Sequence, residues 1–139
     1  KEALGEREDI KVSGDRFIFS SEIFFESGSD IIQSSGEDKL NNIAQSLKEI
    51  SSKIPKKIDW VLRIDGHTDK VPINNEKFKS NWHLSSSRSI NIVKYFIEKG
   101  IPPNRLVAAG FGEYSPLIIN DDALAYEKNR RIEIKLTTR

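Results

Sequence analysis

Cysteine is absent from all 139 residues, which excludes a disulfide framework and any thiolate metal site. Methionine is absent as well, so the chain is expected to be a processed product or a piece of a longer protein. Neither sign of charge dominates, with 22 Lys and Arg against 21 Asp and Glu. That balance argues against nucleic acid as the main partner, because phosphate binding needs a basic excess on one face. Long apolar runs are lacking too. Nothing approaches the roughly 20 residues of a membrane span, and no signal peptide is visible. A membrane anchor, if one exists, is expected upstream.

What is present reads as one globular domain: 37% hydrophobic and 31% charged residues suit a single moderate core. Residues 1–14 are expected to be a linker or N-terminal arm, and residues 15–139 the domain. "DRFIFSSEIFFE" (15–26) is rich in Phe and Ile and predicts one or two short strands, broken by "SGSD". From Glu37 to Ile54 the apolar residues step by three and four, a single helical stripe that Pro55 stops. "IDWVLRID" (58–65) predicts a central strand ended by Gly66. "KVPINNEKFKSN" (70–81) is a polar loop. Leu84, Ile90, Val93, Phe96 and Ile97 define a second helix, closed by Gly100 as a left-handed cap. A short strand within 101–113, a short helix in "DDALAYEKN" and a half-buried strand in "RRIEIKLTT" complete the chain. The order β-α-β-α-β-α-β predicts an α+β fold with helices over one face of a mixed sheet.

The stretch "RIDGHTD" crowds acids and a histidine around Gly66. His67 and Asp69 stand at i, i+2, one side of extended chain, yet His83 is the only other histidine and no metal-ligand spacing joins them. Asp69, His83 and Ser85 could be drawn as a hydrolytic triad. No G-x-S-x-G elbow exists, however, and the serine run 85–87 instead marks a helix start. Neither a metal site nor an enzyme is expected. Gly66 and Thr68 read as a shaped turn, His67 as a packed histidine, and Asp69 as open between turn and ligand contact.

Arg88 is the unusual residue. If Ser85 caps the second helix, Arg88 lies in its first turn, where the helix dipole disfavours a cation. An arginine beside unpaired backbone N–H groups suits a carboxylate; the alternative is a surface arginine paired with a nearby acid. Were the strand end and this helix to lie side by side, Asp69 and Arg88 would together fit a zwitterion. Asp69 would take its ammonium and Arg88 its carboxylate.

Four motifs in order, "RIDGHTD", "NWHLSSSRS", "GFGEYSP" and "NRRIEI", resemble the signatures of the OmpA-like peptidoglycan-binding domain. The likeness runs from about Phe17 to Leu136, and the loop after Asp69 with Val71 and Pro72, together with "FESGS" and "NW", looks closest to the stator branch that includes MotB. The resemblance implies a βαβαβ fold and non-catalytic binding of peptidoglycan through the diaminopimelate of its stem peptide, with no cofactor and no metal. It implies that Asp69 and Arg88 grip that residue, that Phe25, Glu26 and Ser27 line the pocket, and that Asn81 and Leu84 stand at the second-helix entrance. Asn129 and Arg130 match its "NRR" motif, more as a brace than as a ligand contact. Glu26 departs from the shorter acid of many relatives. The resemblance further implies a periplasmic domain of a Gram-negative envelope protein, an upstream inner-membrane helix, a partner subunit in that membrane, and a homodimer. The alternative is an envelope protein–protein interaction domain that keeps the fold without wall binding.

Overall fold

Phe17 and Phe19, Leu62 and Ile64, and Ile132 and Ile134 each stand two residues apart, so in extended chain each pair shares a face. The computed structural model describes residues 11–13 and 16–138, and it lays these pairs side by side. Among the described residues there are five strands: β1 Lys11–Ser13, β2 Arg16–Ser20, β3 Trp60–His67, β4 Leu106–Gly110 and β5 Arg131–Thr138. They form one sheet in the order β1-β2-β5-β3-β4. β3 and β4 are parallel and all other neighbours antiparallel, so the sheet is mixed. β1 lies within the stretch read as an arm, so the sheet begins before residue 15.

Among the described residues four α-helices accompany the strands: α1 Ser21–Phe24, α2 Ser34–Ser51, α3 Asn81–Glu98 and α4 Ala123–Asn129. α2 contributes Leu40, Ile43 and Leu47, and α3 contributes Ile92 and Phe96, to a core closed against Leu62, Ile64, Ile132 and Ile134. α3 also supplies the crossover that the parallel β3–β4 pair requires. The α+β arrangement, with helices on one sheet face, is the expected one.

Three local expectations change. "DRFIFSSEIFFE" forms β2 and then a helical turn, not a second strand. Ser20 caps that turn by accepting from the N–H of Glu22. A continuous strand would send Phe24 and Phe25 to opposite faces, whereas the turn buries both. β3 runs through Gly66 to His67, and Gly66 is extended rather than left-handed. Its role is close approach: a Cβ there would collide with the carbonyl oxygen of Ser85 and meet Ser89 Oγ at 2.8 Å. α3 begins at Asn81, not at the serine run, because Ser80 is the cap and accepts from the N–H of His83 at 3.3 Å. Gly100 is the left-handed cap expected, at φ +100°.

Candidate functional site

The early start of α3 moves Arg88 two turns into the helix, so the unpaired N–H groups of the helix N-terminus are not beside it. The helix-dipole argument for Arg88 therefore fails. A different environment makes the residue exceptional. Arg88 is 4% exposed, and its guanidinium lies over the Phe25 ring, 5.0 Å from the centroid. Its Nε donates to the carbonyl of Ser29 at 2.7 Å and an Nη donates to that of Glu26 at 3.1 Å. Gly28, at φ +69°, allows the tight loop that turns both carbonyls toward it. Among the described residues no carboxylate lies within ion-pair distance of Arg88. Burial pulls its pKa down to about 10. A guanidinium carries five N–H donors, so some remain for a ligand.

Asp69 follows the end of β3. Thr68 fixes the backbone there with two donations: its N–H donates to Gly112 O at 2.9 Å, and its hydroxyl donates to Asp69 O at 2.7 Å. The Asp69 carboxylate accepts from the N–H of Val71 at 3.0 Å and from Arg130 Nη1 at 2.7 Å. Arg130 also pairs with Glu22 at 3.2 Å. Burial disfavours the Arg130 charge, but its bonds to Asp69 and Glu22 outweigh that and raise its pKa. Asn81 ties the loops together: its side-chain amide donates to Asp69 O, Val71 O and the carboxylate of Glu113 at 3.1–3.3 Å.

These groups surround one cleft of about 440 Å³. Of the eight residues expected at the site, Ser27, Asp69, Asn81, Leu84, Arg88 and Arg130 line it. Phe25 does not; it is buried beneath the Arg88 guanidinium as a support. Glu26 does not line it; its carbonyl holds Arg88, and the residue lines a separate cleft with Ile31 and Gln33. Val71, Pro72 and Ile73 form an apolar wall, and Glu22 adds a second acid. Glu22 and the Ser29 carbonyl were invisible to sequence reasoning, since neither belongs to a motif that marks it. The charged lining is thus Glu22 and Asp69 against Arg88 and Arg130, a neutral set in which Arg130 bridges the two acids and Arg88 stands apart.

The residues weighed for metal or hydrolysis are used otherwise. His83 lies in the first turn of α3 edge-on to Phe78, while His67 stacks on Phe111 at 4.8 Å. The Ser85 hydroxyl donates to Trp82 O and accepts from the Gly112 N–H. On the sheet face away from the helices, Asp65, His67 and Glu133 place donor atoms within 4.8 Å of one another. Their carboxylates are already engaged. Arg63 forks Asp65 at 2.8 and 3.0 Å, and Arg16 and Arg131 each take one oxygen of Glu133 at 2.8 and 2.6 Å. Three guanidiniums against two carboxylates oppose a further cation.

The OmpA family model matches residues 24–130. Motility protein B of Bacillus subtilis is 38% identical over 118 residues, 84% of this chain and 42% of that protein. Outer membrane protein A of Bordetella avium is 28% identical over 121 residues, 87% of this chain and 57% of that protein. The chain therefore spans about half, or less, of these relatives' lengths. The crystal structure of the periplasmic domain of Helicobacter pylori MotB superposes with a TM-score of 0.78 at 26% identity, covering 93% of this chain and 80% of that one.

Proposed function

The chain belongs to the OmpA family, as a MotB-type domain, and on that premise we propose that its cleft binds peptidoglycan through the diaminopimelate residue of the stem peptide. The domain would thereby anchor a membrane-tethered envelope protein or stator-like complex to the cell wall without cutting it. One observation carries this proposal: Arg88 is a buried cation held by carbonyls and a ring, and no carboxylate of the described residues lies within ion-pair distance of it. A buried unpaired charge costs several kcal/mol, on the order given by ion desolvation. Such a cost is maintained where a ligand supplies the counter-charge, and a carboxylate is the anion that a guanidinium grips in bidentate fashion.

Asp69 supports the other half. Its carboxylate faces the same cleft and is oriented by Arg130 and the Val71 N–H. A free amino-acid end, as diaminopimelate has, offers an ammonium to Asp69 and a carboxylate to Arg88. Ser27, Asn81 and Leu84 shape the cleft between them. Phe25 holds Arg88 in place, and the Glu26 carbonyl orients it. The role is binding rather than turnover: no nucleophile with an adjacent base lies among these residues. A periplasmic location, an upstream membrane helix, an inner-membrane partner subunit and a homodimer belong to the same proposal.

The test is sedimentation with purified sacculi. Wild type is expected in the pellet, with Arg88→Ala and Asp69→Ala left in the supernatant and retaining a native circular dichroism spectrum. Equal pelleting of wild type and Arg88→Ala overturns the proposal. Failure of wild type to pellet favours the interaction-domain alternative. Release of muropeptides from the sacculi would overturn the non-catalytic role.

A further inference from the structure

Trp82 and Tyr114 are 51% and 63% exposed, yet their rings stack on each other with centroids 5.1 Å apart and planes 24° from parallel. Such a pair contributes little to the core and presents its outer faces to solvent. Beside it opens a second cleft of about 300 Å³, on the other side of the backbone at Thr68 and Asp69, which line both clefts. We propose that this second cleft and the Trp82–Tyr114 ledge bind an N-acetylated sugar of the glycan strand whose stem peptide occupies the first. This inference rests on the wall-binding function proposed above.

The chemistry of the cleft favours a neutral ligand with one apolar face. Most of its charged members are engaged within the chain: Lys70 pairs with Asp121 and Asp69 with Arg130, while Glu113 accepts from the Asn81 amide and keeps its charge. Tyr114, Pro116, Ile118 and Ile119 provide an apolar wall. Tyr126 and Asn120 also line the cleft, and among the described residues the Tyr126 hydroxyl and the Asn120 amide have no hydrogen-bond partner. A pyranose ring offers axial C–H bonds to an aromatic face, while its hydroxyls and acetamide need a few uncommitted polar partners. An acetamide methyl fits against Ile and Pro side chains.

Position argues the same way. Trp82 follows Asn81 directly, and the Asn81 amide bonds both the Asp69 carbonyl and Glu113, which lines the second cleft. The two clefts are therefore held in fixed register by one side chain. A stem peptide is a branch on a sugar polymer, so a domain holding the branch must let the polymer run across adjoining surface. The ledge adjoins the first cleft, and continuity makes the two sites parts of one surface.

The experiment is a pair of NMR titrations of the isotopically labelled 139-residue chain, one with a trimer of N-acetylglucosamine and one with diaminopimelate. The trimer is expected to shift the Trp82 indole and the amides of Tyr114 to Asn120, and diaminopimelate those around Asp69 and Arg88. Tyr114→Ala and Trp82→Ala, both exposed positions, are expected to weaken the trimer by about fivefold to tenfold and leave diaminopimelate within about twofold. If the trimer shifts none of these resonances while diaminopimelate binds, the sugar site is overturned and wall binding stands. If the trimer binds equally well to both variants, the ledge is overturned. If diaminopimelate fails to bind wild type, the function beneath the inference falls, and the inference with it.

Discussion

Arg130 donates a 2.7 Å hydrogen bond to the Asp69 carboxylate across 61 residues of sequence, so the acid of the cleft is paired with Arg130 rather than with Arg88. Arg130 is about a third exposed and shares itself with Glu22. Its pair with Asp69 is therefore worth roughly 1 kcal/mol or less. Removing Arg130 leaves Asp69 oriented by the Val71 N–H. Arg130→Ala is expected to weaken diaminopimelate by less than about tenfold, and Asp69→Ala by more than about a hundredfold. Isothermal titration of the two variants decides it. Equal losses would make Arg130 a primary ligand contact.

Arg88 separates stability from binding. Arg88→Met keeps an unbranched chain over Phe25 and removes a buried cation. It strands the carbonyls of Ser29 and Glu26, at a cost of about 1–3 kcal/mol each at most. Release of the unpaired charge offsets that by several kcal/mol, on the scale of buried-ion penalties. Urea denaturation is expected to place Arg88→Met within about 1 kcal/mol of wild type or above it, while sacculus binding is lost. Arg88→Lys is expected to lose binding too, because an ammonium cannot reproduce the forked geometry. Unfolding of Arg88→Met would instead mark the arginine as structural.

That Asp69 and Arg88 line one cleft was legible because acid and base types stand out in motifs. The helix dipole nevertheless does not set Arg88 apart, because Ser80 rather than Ser85 caps α3. A run of small serines inside a helix looks like a start when part of it serves close packing. Ser85, Ser86 and Ser89 of α3 lie against Gly66 of β3 and Gly110 of β4, a long-range fit that no local periodicity reveals. The same holds for the carbonyls of Glu26 and Ser29: main-chain oxygens leave no trace in residue types. Strand and helix content survived better, because periods of two and near four are local. The second half of "DRFIFSSEIFFE" was the exception, where β-prone residues fold into a turn to bury adjacent phenylalanines.

The glycine–serine fit can be tested directly. A Cβ at Gly66 would collide with the Ser85 carbonyl, a backbone atom that cannot rotate away. α3 would have to withdraw from β3, carrying Asn81, Leu84 and Arg88 off the cleft. Gly66→Ala is expected to lower stability by about 1–3 kcal/mol and to weaken diaminopimelate at a temperature where the variant is still folded. Gly28→Ala makes the control. It meets only open space near Ile73, so its cost comes from φ +69° alone and is expected near 1 kcal/mol. Full stability of Gly66→Ala would refute close packing as the reason for that glycine.

Acid sensitivity follows from His67. The ring is 4% exposed, both its nitrogens lack a hydrogen-bond partner among the described residues, and it stacks on Phe111. Burial, aided by Arg131, pulls its pKa from 6.5 to about 4. The nearby Glu133 carboxylate, 3.8 Å away, works in the opposite direction and does not prevail. The folded state thus holds a neutral ring, whereas the unfolded chain takes up a proton near pH 6.5. Stability is therefore full above that pH and falls as pH drops toward 4, by on the order of 3 kcal/mol. Burial raises Glu133, but bonds from Arg131 and Arg16 overcome it and hold the carboxyl low, which adds a loss of the same sign at lower pH. Asp65 acts oppositely: burial raises its pKa, so its charged form costs stability as pH rises through that value. His67→Phe keeps the stack on Phe111 and removes both unpaired nitrogens. Thermal melts of this variant are expected to match or exceed wild type at pH 7 and to lose most of the decline between pH 6.5 and 4 that wild type shows. An unchanged pH profile in His67→Phe would assign the acid sensitivity to the carboxylates instead.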